Sequence, residues 1–235
     1  VPAPRSQAQP GPAQSVPSHA ETGEPVLVRA RTSSPAEWQG VTSRSFVPLS
    51  VSTRSPSAFR AELVGRLTDR VLFSTIVASP HAFERDASHI AASPHEYLKL
   101  TLQVRGVGML VQDGREAALR PGDMVLYDTS RPYTLEFTDE LAAVVIMFPH
   151  AMLDVPAESI RRLTAVRLDG SHGFAGAVGQ FLVGVTSSLG RLDAGTARRV
   201  THNTLDLVTT MIEHKLGLTE HGDAYALLCH RIDSY

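Results

Sequence analysis

The feature that most constrains the fold is a succession of short strands and tight turns between residues 112 and 137. This stretch, QDGREAALRPGDMVLYDTSRPYTLEF, contains an Asp113-Gly114 hairpin signal and further turns at PGD and TSRP. Short apolar runs of the same kind lie on either side of it, at 70–78 and 142–148. Many short strands separated by turn signals predict an antiparallel sandwich or barrel rather than a parallel sheet.

After residue 149 the spacing of apolar residues changes to the three- and four-residue steps of amphipathic helices. Gly217 predicts the end of one helix, and a further helix is expected to begin near Asp223. We therefore predict an α+β chain with a β-barrel at 35–153, a helical segment at 154–220 and the start of a linker helix at 221–235. The Pro-, Ala-, Ser- and Gln-rich residues 1–34 are predicted to be a disordered segment or a tag remnant.

The bulk properties exclude several classes of protein. A formal charge of −2 and a pI near 6.6 lack the basic character of a free-standing nucleic-acid-binding domain. The single cysteine, Cys229, excludes an internal disulfide and fits a reducing compartment. The longest apolar run, at 141–148, has the length of a buried strand and is too short to span a membrane. We expect a cytoplasmic protein with no membrane partner.

The spacing from Gly122 to Tyr133 is similar to that of the second metal motif of cupin barrels. This resemblance puts Tyr133 at one ligand position, and aligning the first cupin motif on Gly106 puts Ser93, His95 and Lys99 at the other three. Of these four residues only His95 is a ligand type. Lys99 is a cation where a carboxylate should neutralise the ion, and a catalytic metal needs about three protein ligands. We therefore expect no metal and no other cofactor. Since no catalytic constellation is recognisable either, we expect no catalytic residue and no enzyme activity.

The quoted stretch, preceded by YLKLTLQVRG and followed by AAVVIMFPHAML, resembles the N-terminal effector domain of AraC/XylS-type transcription regulators. The resemblance covers about residues 38–153. It implies a cupin-like, jelly-roll β-barrel that binds a small organic effector, followed by α-helices that dimerise. It also implies DNA recognition by a C-terminal pair of helix-turn-helix motifs. The chain ends where the linker to those motifs would begin, so DNA binding is expected only through a domain absent from it.

Seven residues are candidates for binding the effector: Arg85, His95, Tyr97, Lys99, Tyr127, Arg131 and Tyr133. The orientation of the candidates in and beside strand 96–106 is open, because this strand alternates between a leucine face and a polar face. If His95 points inward, as its cupin counterpart does, then Tyr97 and Lys99 do so as well. The opposite orientation buries the leucines inside the barrel and leaves Tyr97 and Lys99 in solvent. For Arg85 the alternative is a charged side chain in solvent. For Tyr127 and Tyr133 the alternative is packing in the core, and Arg131 could point either way.

A pocket containing Arg85 or Lys99 favours an anionic or carbonyl-bearing ligand, because buried cations need a partner. Tyrosines suit an aromatic ligand body. We therefore expect a small aromatic acid, aldehyde or amine-derived metabolite.

The apolar faces of the helices could form a self-complementary homodimer interface. The alternative is that they pack against the barrel and each other within one protomer. The candidate dimerisation residues are Val200, Thr204, Leu207, Val208 and Met211.

The leading functional hypothesis is the ligand-sensing and dimerisation domain of a transcription regulator. One alternative is a metal-dependent cupin enzyme, such as an isomerase or dioxygenase, which bound stoichiometric metal would favour. Another is a ligand-free dimerisation scaffold whose barrel is filled by its own side chains. An N-terminal arm could also close over the pocket. A cavity too small for any ligand would favour the scaffold.

Overall fold

The structure, a computed structural model, describes residues 26–93 and 96–232, with side chains described as far as residue 217. Most strands in these ranges follow the alternating and apolar runs expected from the sequence. The strands are β1 (Val26–Thr32), β2 (Ser50–Ser52), β3 (Ala61–Thr68), β4 (Val71–Ala78), β5 (His81–Arg85), β6 (Tyr97–Arg105), β7 (Gly108–Gln112), β8 (Arg115–Leu119), β9 (Met124–Asp128), β10 (Tyr133–Phe137), β11 (Leu141–Pro149) and β12 (Arg167–Leu168). The α-helices are α1 (Pro35–Ser45), α2 (Ala87–Ala92), α3 (Ala157–Leu163), α4 (Gly173–Ser188) and α5 (Ala194–Ile232).

The strands form two antiparallel sheets. One sheet has the order β1-β3-β4-β11-β6-β9-β12 and the other β2-β5-β10-β7-β8. Apolar side chains from both sheets and from the α1 region fill the space between them, with Trp38 and Phe59 fully buried there. Two facing sheets followed by helices confirm the predicted cupin-like α+β fold.

Strand β6 buries both of its faces, which settles its orientation. Leu98, Leu100 and Leu102 belong to a second core, between the seven-stranded sheet and the helices. Lys99 and Thr101 face the space between the sheets, and the partly buried Tyr97 packs against the same interior core. The face of β6 that carries Tyr97, Lys99 and Thr101 therefore points inward, while the helices cover the leucines.

Helices α3, α4 and α5 supply the other half of that second core through residues such as Ile160, Val178, Leu182 and Val208. The 19-residue stretch Gly173–Arg191 is long and apolar enough to cross a membrane by length and composition alone, and a third of its most apolar window is buried inside the protein. Inspection of uninterrupted apolar runs overlooks it, because glycines and serines divide the run.

Helix α5 passes through Gly217 instead of ending there, and it includes the residues expected to form a separate helix from Asp223. A glycine inside a helix costs only about 1 kcal/mol relative to alanine, so one glycine does not decide a helix end. Residues 233–235 of the predicted linker helix lie outside the described residues.

The predicted disordered segment 1–34 is wrong for its last part. Val26–Thr32 forms β1 and pairs with β3 along its whole length, with Val26 opposite Leu67 and Thr32 opposite Ala61. An edge strand needs only one apolar face, and the two arginines of β1 lie within 4 Å of Glu62. The seven residues of β1 therefore form a strand, although the overall composition of residues 1–34 is typical of disorder. Residues 1–25 lie outside the described residues.

Helix α1 covers part of the interior next to β2. Ser34 caps its first turn by accepting a hydrogen bond from the Glu37 amide at 3.3 Å, and Pro35 occupies the first turn, where its missing N–H costs nothing. The helix brings Trp38 and Thr42 into the interior, and the residues after it add Phe46 and Leu49. The chain just before β2 thus becomes part of the wall of the central cavity.

Candidate functional site

A cavity lies between the two sheets, bounded on one side by the α1 region. Most of its wall is apolar, and its polar side chains are Thr42, Lys99, Thr101, Tyr127 and Tyr133. The centre of a water-sized sphere can occupy about 20 Å³ of it. Because holding one water takes roughly 10–15 Å³ on this measure, the cavity in this conformation has room for about one water molecule.

Lys99 places its amine at the wall of this cavity. The side chain is 3% exposed, and Nζ donates to the Tyr133 hydroxyl oxygen at 3.4 Å. Nζ also lies 4.3 Å from the centre of the Phe46 ring and 5.9 Å from the ring centres of Tyr127 and Tyr133. No acidic side chain is among the cavity-lining residues. Burial, assisted by the positive charge of Arg85, lowers the pKa of Lys99 to about 7.

Tyr127 and Tyr133 come from different sheets and meet edge to face, with ring centres 4.9 Å apart. The Tyr127 hydroxyl lies 3.2 Å from Thr101 Oγ1. Burial raises the pKa of Tyr127 to about 12 and raises that of Tyr133 well above its ordinary value. Both phenols therefore keep their protons at neutral pH and can donate a hydrogen bond to a ligand.

Arg85 is fully buried, which excludes the solvated alternative. Its guanidinium donates to four backbone carbonyls: Thr129 at 2.8 Å, Pro48 at 2.5 Å, His89 at 3.3 Å and Ser93 at 3.0 Å. It is not among the cavity-lining residues. Arg85 therefore fastens β5 to the β9–β10 turn, to α2 and to the chain before β2, and it acts on the cavity only through its charge.

Arg131 points away from the cavity. Its Nε lies 3.2 Å from Asp128 Oδ2, another of its nitrogens pairs with Asp113, and Nη2 donates to Thr164 Oγ1 at 3.3 Å. Arg115 also donates to the Thr164 hydroxyl, at 2.8 Å. The charged residues of QDGR and DTSRPY thus form one cluster between the barrel and the end of α3.

Sequence reasoning overlooked Gln112, which aligns this cluster. Its amide nitrogen donates to the Asp128 carbonyl at 2.7 Å, and its amide oxygen accepts from the Asp128 N–H at 3.0 Å. The signal was available, because Gln112 is the first residue of the quoted motif and Asp128 begins its DTSRPY segment. What the sequence does not display is that these two segments pair through one side chain.

The structure brings together three of the seven candidate residues at the cavity, namely Lys99, Tyr127 and Tyr133. Tyr97 packs against the same interior core without lining the cavity. His95 lies outside the described residues. Lys99 and Tyr133, which the cupin-like spacing puts at two of the four expected ligand positions, are in contact, with 3.4 Å between Nζ and the hydroxyl oxygen. The described residues contain no group of three or more His, Cys, Asp or Glu arranged to hold a metal.

The candidate dimerisation residues lie mainly inside the protomer. Thr204, Val208 and Met211 are at most 2% exposed, and Val200 and Leu207 pack against the second core. The first three cannot contribute to a surface between two folded protomers, because the neighbouring helices and the sheet already cover them. Among the helical residues whose side chains the structure describes, the exposed large apolar ones are Phe174, Phe181 and Val183 on α4.

Comparisons with known proteins identify the family to which this chain belongs. The profile of the family described as AraC-binding-like domain matches residues 38–213. The chain is 34% identical over 177 residues to an uncharacterized protein in the nit 5′ region of Bacillus sp. (strain OxB-1), covering 74% of this chain and 68% of that protein. It is 25% identical over 215 residues to the transcriptional activator NphR of Rhodococcus sp, covering 88% of this chain and 64% of that protein.

Among solved structures, the AraC-like transcriptional activator CuxR superposes with a TM-score of 0.70 at 20% identity, covering 80% of this chain and 70% of that one. At that identity the likeness concerns the fold. The chain spans about two thirds of the length of the two curated relatives.

Proposed function

The chain belongs to the family of AraC-binding-like domains, which are regulatory domains of AraC-type transcription regulators, and from that premise we propose that it senses a small organic effector and dimerises. The observation that carries the proposal is Lys99, an amine buried between the sheets with three aromatic rings around it and no acidic side chain in the cavity wall. A buried cation is costly unless a partner neutralises it. An effector can be that partner.

The cavity chemistry favours a small aromatic effector with an anionic or carbonyl head group. The head group meets the Lys99 amine and the hydroxyls of Tyr127 and Tyr133, while the ring packs among the apolar wall residues. No metal takes part in this binding. The support for this last point is the residue types at the cupin ligand positions, where Lys99 repels a cation that a carboxylate would attract.

Effector entry requires the α1 region to move. Since the closed cavity has room for about one water, an aromatic molecule has to displace wall side chains, and Phe46 and Leu49 belong to the segment after α1 rather than to the sheets. The effector would then favour the conformation in which this segment is displaced, to the extent that it binds that conformation more tightly. This makes the α1 region the arm that closes over the pocket.

The small cavity favours a second candidate, a dimerisation scaffold without a ligand. In that case the barrel would only need to be filled, and a leucine or methionine at position 99 would do so without burying an amine. The amine therefore argues for the sensor. The cupin-enzyme alternative is opposed by the same residue, and stoichiometric iron, zinc or manganese in the purified protein would favour the enzyme.

Homodimerisation is proposed through the outer face of α4. Phe174 and Phe181, each 38% exposed, lie seven residues apart on one face of that helix. Large apolar residues grouped on one exposed helix face are typical of an interface. DNA recognition by the whole protein would belong to a part outside this chain, as the relation to the transcriptional activator NphR suggests.

Calorimetric titration and thermal unfolding test the sensing function. The ligand panel contains benzoate, benzaldehyde, phenylacetate and phenol, with arabinose as a neutral control. We expect at least one aromatic compound to release or absorb heat and to raise the melting temperature, because a ligand that binds only the folded state stabilises it. The Lys99→Met variant should lose most of that response. A response to arabinose with none to any aromatic compound would refute the proposal, and no response to any compound would favour the scaffold.

A further inference from the structure

We propose that Lys99 holds an aromatic aldehyde covalently, as a reversible imine formed between its ε-amine and the aldehyde carbon. This inference rests on the proposed sensing function and specifies its ligand class. It follows from the juxtaposition of a buried amine, a neighbouring phenol and an aromatic cavity wall: Nζ lies 3.4 Å from the Tyr133 hydroxyl and 4.3 Å from the centre of the Phe46 ring.

The presence of lysine rather than arginine at position 99 supports an amine that reacts with the ligand over one that only carries a charge. The chain contains two lysines, Lys99 and Lys215, and its other 20 basic residues among the 22 are arginines. A permanent cation for a carboxylate ligand is better supplied by arginine, whose planar group binds both oxygens and does not lose its proton. A lysine instead can become an uncharged nucleophile. This chain uses one of its two lysines in the centre of the barrel.

The surroundings of Lys99 favour the uncharged amine. Burial in an apolar cavity and proximity to a second cation are the two conditions that activate lysine nucleophiles. Both are present, because the side chain is 3% exposed and Arg85 contributes a fixed positive charge. With a pKa of about 7, about half of Lys99 carries a free lone pair at neutral pH, which is on the order of 1000-fold more than for a lysine of ordinary pKa.

The reaction needs no oxidant or metal. The Nζ lone pair attacks the aldehyde carbon, and the electron pair of the C=O bond goes to oxygen, which takes up a proton to give a carbinolamine. Loss of the hydroxyl group as water, with the second proton leaving nitrogen, forms the C=N bond. The Tyr133 hydroxyl lies next to Nζ and keeps its proton at neutral pH, so it can donate to the departing oxygen. One amine and one aldehyde give one imine and one water.

Reductive trapping tests the imine directly. The full chain is incubated with benzaldehyde and sodium cyanoborohydride near neutral pH, and modification is followed by intact mass and peptide mapping. We expect one benzyl group on Lys99, added at least roughly 10-fold faster than on Lys215, because burial lowers the pKa of Lys99 to about 7 and leaves much of its amine uncharged. Peptide mapping separates both lysines from the α-amino group. Benzoate should slow the modification of Lys99 by occupying the same cavity.

Two matched variants complete the experiment. Lys215→Arg should be trapped at Lys99 like the parent, whereas Lys99→Arg keeps a cation in the cavity but cannot form an imine and should show no barrel adduct. Thermal unfolding of each variant establishes that it is folded.

The outcomes separate this inference from the sensing function. If benzaldehyde raises the melting temperature but Lys99 is trapped no faster than Lys215, or no faster than in urea-unfolded protein, the imine is refuted and non-covalent sensing stands. If no aromatic compound shifts the melting temperature and no adduct forms at Lys99, both proposals fail.

Discussion

At the scale of single residues, Lys99 and Arg85 show two ways of burying a cation. Arg85 spreads its charge over four backbone carbonyls, so its donors are satisfied without a ligand. Lys99 has one hydroxyl oxygen and three aromatic rings instead, which compensate an ammonium group less completely. The arginine therefore serves the structure, while the lysine remains available for binding.

The first prediction concerns the pH dependence of stability at Lys99. The unfolded chain releases this proton near the ordinary pKa of 10.5 and the folded protein near 7, so between these values the unfolded state holds more protons. The free energy of unfolding of the parent should then rise with pH relative to Lys99→Met, by about 3–5 kcal/mol from about pH 7 to about pH 10. Urea denaturation of both proteins at several pH values measures the difference. A difference that stays constant with pH would mean that Lys99 keeps its proton in the folded state.

Sequence reasoning reached Lys99 and Tyr133 as candidates because they stand at cupin-like spacing, but it left open whether Lys99 faces the interior. The same reasoning could not separate Arg85 from Arg131. Both are arginines in or beside short strands, and the acceptors that hold them come from distant segments: Pro48 and Thr129 for Arg85, Asp113 and Thr164 for Arg131. Which carbonyl or carboxylate meets a guanidinium depends on the assembled fold rather than on local spacing.

At the scale of elements, the QDGR and DTSRPY segments act as one clamp that joins two turns of the barrel to α3. Gln112 pairs with both backbone groups of Asp128, and Asp128 in turn lies 3.2 Å from Arg131 Nε and from His150 Nε2. His150 lies directly after β11, where the chain leaves the barrel. The clamp therefore connects the wall of the cavity, through Tyr133 at the end of the motif, to the start of the helical segment.

The second prediction tests this clamp. Gln112→Leu leaves the N–H and carbonyl of Asp128 without partners in a buried position, so we expect a loss of about 2–3 kcal/mol in the free energy of unfolding. Urea denaturation measures the loss. The matched control is Gln180→Leu, an exposed position on α4, which should change stability by less than about 0.5 kcal/mol. Equal stability of both variants would exclude the clamp.

The same scale explains which elements the sequence could predict. Strands with strict alternation or strong turn signals were predictable, and so was the change to helices after residue 149. The orientation of β6 was not, because both of its faces are buried and an alternating pattern then fits either orientation. Only the covering helices decide it, and they lie more than 50 residues later in the chain.

At the scale of the whole molecule, the helical segment has an inner face that completes the second core and an outer face that the protomer leaves exposed. The inner face contains Thr204, Val208 and Met211 of α5, together with Val178 and Leu182 of α4. Periodicity alone cannot distinguish the two faces when a helix is apolar on more than one side. For this reason the sequence pointed to the face of α5 that packs within the protomer.

The third prediction concerns the assembly of two copies through the outer face of α4. In a two-fold symmetric dimer one substitution acts on both sides of the interface, so a charge at Phe181 appears twice in the apolar contact. Light scattering should therefore show a dimeric parent and a monomeric Phe181→Glu or Phe174→Glu variant, each with the melting behaviour of a folded protein. Met109→Glu is the matched control, because Met109 is 37% exposed on β7, in the sheet opposite the one that the helices cover, and should leave the dimer mass unchanged. If both α4 variants remain dimeric, the two copies meet elsewhere, and a monomeric parent would exclude dimerisation by this part of the protein.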